Sequence, residues 1–352
     1  MDFCLYLSNT LYSNIKMAIS ACGLILNLIN IIVFFNITNS KQPSNSNLFK
    51  YLLTKSICDF YVLGFGVGFG VIDSYYKTQS QKYYPLCMFR FIFDEYLCFV
   101  CQLVSMFCEV ASSFNRYRSI ANKFQYLNKI SVKFKIIFMI SYSMLFYVYK
   151  FFQKNCATYK VVNSTEVYYK LEHYSFFLHS PQDYALSIIH SVVRDGICSL
   201  IIIILNILIF SFMKKVFNNK MEFNKNASSV NKTNSASKSS SQAKKVERSQ
   251  KNLIYMVFTT SVFTLIGHLL MFTYYLPIQL LRLNNCLRSF SLLFFYLGFS
   301  ISFFSYFCFN LHFKRFILRR LLRFVQIITF NRYDLQTEKY ENTKTVNHLT
   351  QT

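Results

Sequence analysis

Charge is scarce in this sequence, and acidic charge is scarcer still. Only 15% of the 352 residues are charged, with 15 acidic side chains against 38 basic ones, whereas 53% are hydrophobic and 19% aromatic. This composition describes a surface that faces lipid better than one that faces water. The sequence also lacks His and Cys residues at zinc-binding spacing and a nucleophile triad in a supporting context. It therefore predicts no enzymatic activity and no cofactor.

The sequence also predicts no cleavable signal peptide, since residues 1–16 have no basic start followed by an apolar run and a small-residue cleavage site. We expect the first apolar run to act as a signal anchor. Crossing a hydrocarbon core of about 30 Å takes roughly 20 apolar residues in a helix. Seven runs reach or approach that length, the fourth being the shortest: Met17–Phe35, Tyr51–Ile72, Cys87–Tyr117, Ile136–Phe152, Leu186–Met213, Leu253–Leu276 and Ser289–Phe309. They predict an all-α membrane protein, a seven-helix transmembrane bundle over residues 17–309.

The excess of basic residues, formally +23, raises the question of nucleic-acid binding, but its distribution answers it. With the N-terminus outside, the four inner segments carry 25 Lys and Arg residues and the outer segments carry eight. This asymmetry is the positive-inside pattern. It predicts a multi-pass protein of the plasma membrane, in contact with lipids, with an outer N-terminus and no nucleic-acid partner.

The segments outside the spans have different compositions. Residues 1–16 are predicted to be extracellular, and the second outer loop contains a glycosylation acceptor at Asn163. The inner loop 214–251 is rich in Ser, Asn and Lys, which predicts disorder and either kinase sites or a simple solvated tether. Residues 310–330 combine apolar and Arg positions at helical spacing, which predicts a short amphipathic helix on the inner leaflet. A cytoplasmic tail, 331–352, would follow.

The most specific motif lies at the inner end of the third span. It reads Asn115-Arg116-Tyr117-Arg118-Ser119-Ile120 and leads into Phe124 and Tyr126. Here the chain resembles the rhodopsin-like (class A) G-protein-coupled receptors, whose third helix ends in an acid, Arg and Tyr. The chain departs from that pattern with Asn115 in place of the acid.

The resemblance implies that Arg116, Tyr117, Ile120 and Phe124 contact a heterotrimeric G protein at the inner ends of helices 3, 5 and 6. Asn115 would remove one restraint on Arg116, and raised basal activity is the hypothesis that follows. From the residues alone another interpretation stays open, because an Arg at the inner end of a span can extend to the lipid headgroups.

Polar residues inside other spans also match the family. Asn27 and Asp59 resemble its intramembrane Asn and Asp, and Ser105 resembles the third-helix residue of its sodium site. The resemblance therefore implies a sodium site near Asp59, but the set of residues that would form it is incomplete. The seventh helix keeps Tyr306 but has Ser302 in place of the family's Asn and lacks its Pro. A carboxylate near the bilayer midplane costs at least about 2.5 kcal/mol, so Asp59 should face the bundle interior and have a partner.

Other departures concern the outer half. The absence of tryptophan removes the family's fourth-helix Trp and its sixth-helix switch. Cys87 and Cys156 resemble the disulfide that ties the third helix to the second outer loop, although Cys87 lies about one helical turn farther from Arg116 than in the family. An extra turn would absorb the difference.

The sequence narrows the chemical class of the extracellular ligand only in part. Where aminergic receptors have an Asp, this chain has Cys98, so a biogenic amine is disfavoured. The other ligand-pocket candidates are charged or ionisable: Asp94, Glu95, Arg194, Asp195 and His268. They favour a peptide, with a chemosensory odorant receptor as the main competitor, but they could also pair with one another. A seven-span ligand-gated channel or transporter stays the alternative from a different class.

Overall fold

The structure is a computed structural model. It describes residues 12–39, 46–75, 82–121, 124–160, 167–174, 181–227, 237–275, 285–311, 313–320, 322–323 and 326. Within these ranges, seven helices are long and apolar enough to span a membrane. The chain is therefore a multi-pass membrane protein built as a helical bundle, as its apolar runs predicted.

We number the helices α1–α7. Four are simple: α1 is Tyr12–Asn39, α2 is Ser46–Tyr75, α6 is Ser237–Tyr275 and α7 is Asn285–Phe309. The fourth in chain order, α4, is Val132–Phe146, and the short helix Lys150–Gln153 completes its span. The other two have three segments each: α3 comprises Tyr84–Arg90, Phe91–Leu97 and Cys98–Ala121, and α5 comprises Pro181–Ser191, Val192–Ile197 and Cys198–Ala227.

The middle segment of both α3 and α5 is a π-helix. A π-helix closes its hydrogen bonds one residue later than an α-helix and often occurs at functional sites. In α3 it lies between Cys87 and Arg116, where we expected an extra turn. In α5 it contains Arg194 and Asp195, whose side chains are both buried. The π-turns therefore shape the half of the bundle that contains Cys87 and Asp195. We call this half outer and the half that contains Arg116 inner, as names for the two ends of the bundle only.

Close helix packing depends on small residues. A Cβ added at Gly23 of α1 would lie 2.0 Å from Ser300 Oγ of α7, and one added at Gly267 of α6 would lie 3.0 Å from the Phe294 carbonyl of α7. Glycine lets helix backbones approach one another inside a membrane, where packing rather than water drives association. Helix α7 is thereby held between α1 and α6.

The second outer loop contains a hairpin that sequence reasoning did not predict. Strand β1 (Lys154–Lys160) pairs antiparallel with β2 (Val167–His173), with Cys156 opposite Leu171. Cys156 forms a disulfide with Cys87 at the start of α3. This pairing is the one that the family resemblance implied, and it fixes the hairpin to the outer end of α3.

The inner segments differ from the expected disordered loop over residues 214–251. Helix α5 continues to Ala227 and α6 begins at Ser237, so the described parts of this loop are helical. Extending an existing helix needs no new nucleus, and each added residue gains a hydrogen bond. Local polarity therefore did not end these helices where we expected.

Residues 313–320, part of the segment predicted to form an amphipathic helix, have helical backbone. Asn310 Oδ1 accepts a hydrogen bond from the backbone N–H of Phe313 at 3.2 Å, and the Phe313 ring is fully buried against Phe34 and Tyr306. Arg315 and Arg319 are exposed. The beginning of this segment is thus fixed to the bundle by its first aromatic ring.

Candidate functional site

Helix α3 presents one buried polar face along most of its length. Cys98, Gln102, Ser105, Glu109 and Arg116 recur at steps of three, four or seven residues, so they lie on the same side of the helix. All five are buried. From Cys98 to Arg116 the helix rises about 27 Å, close to the thickness of the hydrocarbon core of about 30 Å. We call this set and its partners on α2, α5 and α6 the polar column.

The outer part of the polar column is a cluster around Asp195. Arg194 donates to both carboxylate oxygens of Asp195, from Nε at 2.8 Å and from Nη2 at 2.7 Å, and His268 Nδ1 of α6 lies 2.6 Å from Asp195 Oδ1. Arg194 Nη1 also donates to Gln102 Oε1, and Gln102 Nε2 donates to Cys98 Sγ at 3.4 Å. The cluster therefore joins α3, α5 and α6 through side-chain contacts.

Aromatic rings enclose the cluster. The Arg194 guanidinium lies 5.7 Å from the centre of the Phe99 ring and 5.6 Å from that of Phe295, and His268 packs edge-on against Phe295 at 5.1 Å. Arg194, Asp195 and His268 are at most 3% exposed. Four of the ligand-pocket candidates, Cys98 among them, are thus brought together. The charged ones pair with one another, which was the alternative left open by the sequence.

The other two ligand-pocket candidates lie farther out on α3. Asp94 Oδ2 is 3.9 Å from Arg90 Nε, and Glu95 Oε1 is 2.7 Å from Lys154 Nζ at the start of β1. Glu95 and Lys154 line a cavity of about 260 Å³ beneath the hairpin. The structure therefore separates an outer, partly open charged pocket from the buried cluster at Asp195.

The middle part of the polar column contains an ammonium group. Lys55 Nζ of α2 donates to Asp59 Oδ2 at 2.9 Å and to Ser105 Oγ at 3.3 Å, and Ser105 Oγ donates to Asp59 Oδ1 at 2.5 Å. Lys55 and Asp59 are each 1% exposed. The two residues expected to hold a sodium ion thus have a cation supplied by the chain itself, and the described residues contain no cluster of three His, Cys, Asp or Glu side chains for a metal.

The remaining residues of the expected intramembrane network join α1 to α7. Asn27 Nδ2 donates to the Gly23 carbonyl and to the Phe299 carbonyl of α7, both at 3.0 Å. Ser302 and Tyr306 are buried on α7, and the Tyr306 ring packs against Phe34 with centroids 4.9 Å apart. Asn27 therefore fixes α1 to α7 directly, through the backbone of α7.

The inner part of the polar column begins at Glu109. Its Oε1 accepts a hydrogen bond from Ser261 Oγ of α6 at 2.9 Å, and Ser113 Oγ lies 3.5 Å from the same serine. Its Oε2 has no hydrogen-bond partner within the described residues. A buried carboxylate that is half-paired favours any rearrangement that brings it a donor.

Arg116 lies two turns farther in and is 6% exposed. Its Nε and Nη2 have no hydrogen-bond partner in the described part of the chain. The adjacent Tyr117 packs in an apolar cluster with Leu205 and Ile209 of α5 and Ile254 of α6, against which Ile120 also packs. Apolar contacts of Tyr117, the residue after Arg116, thus hold the inner ends of α3, α5 and α6 together.

The loop after α3 exposes the fourth expected coupling residue. Phe124 is 43% exposed and has a left-handed backbone with φ 55°, a conformation that is unusual for a bulky residue. Asn115, which replaces the family's acid, accepts a hydrogen bond from Arg118 Nη2 at 2.7 Å. The structure therefore gives Asn115 a different arginine as its partner.

Sequence reasoning missed Lys55, Gln102 and Glu109. Each lies inside an apolar run, where an ionisable or amide side chain is costly and should face a partner, so this rule applied to every span would have found them. The predicted glycosylation site, Asn163, lies outside the described residues. No protein-family model matches the chain, and no curated protein matches it either.

Proposed function

We propose that this chain is a rhodopsin-like G-protein-coupled receptor of the plasma membrane, with its N-terminus outside. The observation that carries the proposal is Arg116. It is a buried guanidinium, unpaired at two nitrogens among the described residues, at the inner end of a polar column that extends outward to the Asp195 cluster. A partner that inserts between the inner ends of α3, α5 and α6 would supply the missing acceptors.

Signal transfer through the column has a physical basis. The Asp195 cluster joins α5 and α6 to α3 in the outer part of the column, and the Glu109–Ser261 hydrogen bond joins α6 to α3 where the inner part begins. A ligand that changes the outer contacts changes the balance between two arrangements of α6. In this proposal, Tyr117, Ile120 and Phe124 complete the surface for the G protein, and residues 313–320 lie along the inner leaflet.

The ligand that we propose is a peptide with charges of both signs. The cavity beneath the hairpin has Glu95, Lys154 and Lys170 among its lining residues, so carboxylate and ammonium groups on a ligand would both find partners there. An odorant receptor would need an apolar cavity in the outer half instead. Replacing Glu95 by Gln should then weaken a peptide agonist and leave an apolar one unaffected.

The test of coupling is basal or agonist-driven second-messenger production in cells that express the chain. Arg116→Ala should abolish the signal while surface expression stays unchanged. Arg315→Ala is the matched control, since Arg315 is exposed on the same side of the membrane, and it should leave the signal intact. A full signal from Arg116→Ala would contradict the proposal.

A conduit is the second candidate, because the polar column is also the arrangement expected of an ion or proton pathway. The two functions separate in vesicles that contain the purified chain. A receptor should stimulate nucleotide exchange on an added G protein without ion flux. Flux that depends on Glu109 and persists without G protein would favour the conduit.

A further inference from the structure

A groove of about 440 Å³ lies on the outside of the bundle between α2, α3 and α4. Its walls are mainly apolar and include Phe107, Phe114, Phe138 and Tyr142. Phe138 is 63% exposed and Tyr142 is 42% exposed. In a chain that spans the bilayer, a groove with this lining faces acyl chains rather than water, so lipid is its natural occupant.

The groove has a basic rim at one end. Arg118 and Lys135 line it where α3 ends and α4 begins. The partners that the structure gives these two cations are neutral: Arg118 donates to Asn115 Oδ1 at 2.7 Å, and Lys135 donates to the Leu127 carbonyl at 2.9 Å. Neither forms a salt bridge with a carboxylate in the described parts of the chain, and residues 118–135 contain five Lys and Arg and no Asp or Glu.

The order of these groups matches the order of groups in a phospholipid. From Arg118 at the rim to Phe107 at the deep end, α3 rises about 16 Å, which is close to half of the hydrocarbon thickness of about 30 Å. The rim therefore lies at headgroup depth and the aromatic residues lie at the depth of one leaflet. Basic pockets between transmembrane helices attract anionic headgroups in this way.

We propose that this α3–α4 groove binds an anionic phospholipid of the leaflet that contacts the basic loops. The phosphate accepts hydrogen bonds from Arg118 and Lys135, and one acyl chain lies along Phe114, Phe138 and Tyr142. The proposal depends on the membrane location and not on receptor function, so either can fail without the other. A bound lipid would also hold the loop that carries Phe124, since Leu127 and Ile130 line the same groove.

The test uses the absence of tryptophan from the chain. Phe138→Trp puts a single tryptophan in the groove, and Phe35→Trp puts one on the exposed face of α1 at a similar depth from the same membrane side. Each full-length variant is reconstituted in phosphatidylcholine vesicles. Quenching is then compared between phosphatidylserine and phosphatidylcholine that carry bromine on their acyl chains.

We expect the tryptophan in the groove to report about a thirtyfold preference for brominated phosphatidylserine, because two basic residues at the membrane surface contribute about 1 kcal/mol each and about 1.4 kcal/mol corresponds to a factor of ten. The control at Phe35 should report no more than about a twofold preference. Adding Arg118→Gln and Lys135→Gln should remove the preference in the groove. Lys133→Gln, which neutralises an exposed cation in the same first turns of α4, should retain it.

Brominated phosphatidylcholine alone checks that the groove stays open. It should quench the Phe138→Trp fluorophore equally with and without the two Gln substitutions, which shows that the fold is kept. Equal quenching by the two lipids, or a preference that survives both Gln substitutions, would overturn the proposal. Protection from both lipids, together with a crosslinked dimer, would assign the groove to a second copy of the chain instead.

Discussion

The ammonium of Lys55 lies 2.9 Å from the carboxylate of Asp59, and both side chains are 1% exposed. The pair is one helical turn apart on α2 and is joined to α3 through Ser105. A buried charge is tolerated only with a counter-charge and hydrogen bonds. Lys55 thus makes Asp59 compatible with the bundle interior without a metal ion.

A double-mutant cycle measures this pair. Asp59→Asn removes the hydrogen-bonded counter-charge of a buried ammonium and should lower the free energy of unfolding by about 3 kcal/mol or more. Lys55→Met leaves the buried Asp59 carboxylate without its ammonium partner and should also destabilise the chain. The double variant removes both charges and should recover most of the loss, because the amide that replaces the carboxylate can still accept a hydrogen bond from Ser105. The measurement is thermal unfolding of the purified chain in detergent.

The control for this cycle is Lys170→Met, since Lys170 and Glu172 form an ion pair that is 57% and 48% exposed. Exposed pairs contribute about 0–1 kcal/mol, so this variant should change little. If the effects of Lys55→Met and Asp59→Asn simply add in the double variant, the two groups are not coupled and do not form an ion pair in the folded chain.

The Asp195 cluster predicts an order of effects. Asp195→Asn removes the charge that faces both Arg194 and His268, and should destabilise the chain by about 3–5 kcal/mol. His268→Phe keeps both contacts between Arg194 and Asp195 and keeps an aromatic ring beside Phe295, so its cost should be about 1–2 kcal/mol. Unfolding in detergent compares the two variants, and an equal or reversed order would show that His268 is the principal partner.

Two glycines give a matched test of helix packing. Gly23→Ala should cost about 1–3 kcal/mol, because its Cβ would lie 2.0 Å from Ser300 Oγ. A Cβ at Gly68 meets nothing within 4 Å, so Gly68→Ala should be neutral or stabilise the chain by up to about 1 kcal/mol through helix propensity. Thermal unfolding checks both. Equal tolerance of the two substitutions would mean that α1 and α7 are not in close contact.

The seven spans could be predicted from the sequence because each apolar run is long enough to cross the bilayer, even in the short fourth span. The disulfide between Cys87 and Cys156 was predicted by resemblance to a family and not by spacing, which differs by about one turn. The continuation of α5 to Ala227 was not predicted, because helix propagation from a stable span does not depend on local apolarity.

The candidate site was predicted in part. The sequence identified three residues as ligand-pocket candidates in the outer half of the bundle: Arg194, Asp195 and His268. Their mutual pairing depends on the π-turn of α5, and no pattern in the sequence predicts that turn. The role of Lys55 as the partner of Asp59 was not predicted, because Asp59 was the only charged residue considered within the second span. A lysine four residues before an aspartate in an apolar run is itself a pattern that predicts an ion pair.

The most direct test of the account is glycan mapping, because the proposed coupling role of Arg116 requires the end of α3 to face the cytoplasm. Lys129→Asn creates an acceptor with Ile130 and Ser131 in the loop after α3, where Lys129 is exposed. It is compared with the natural acceptor at Asn163, with Asn163→Gln as the background. We expect a glycan at Asn163 and none at position 129. A glycan at position 129 would place Arg116 on the outer side and contradict the receptor proposal.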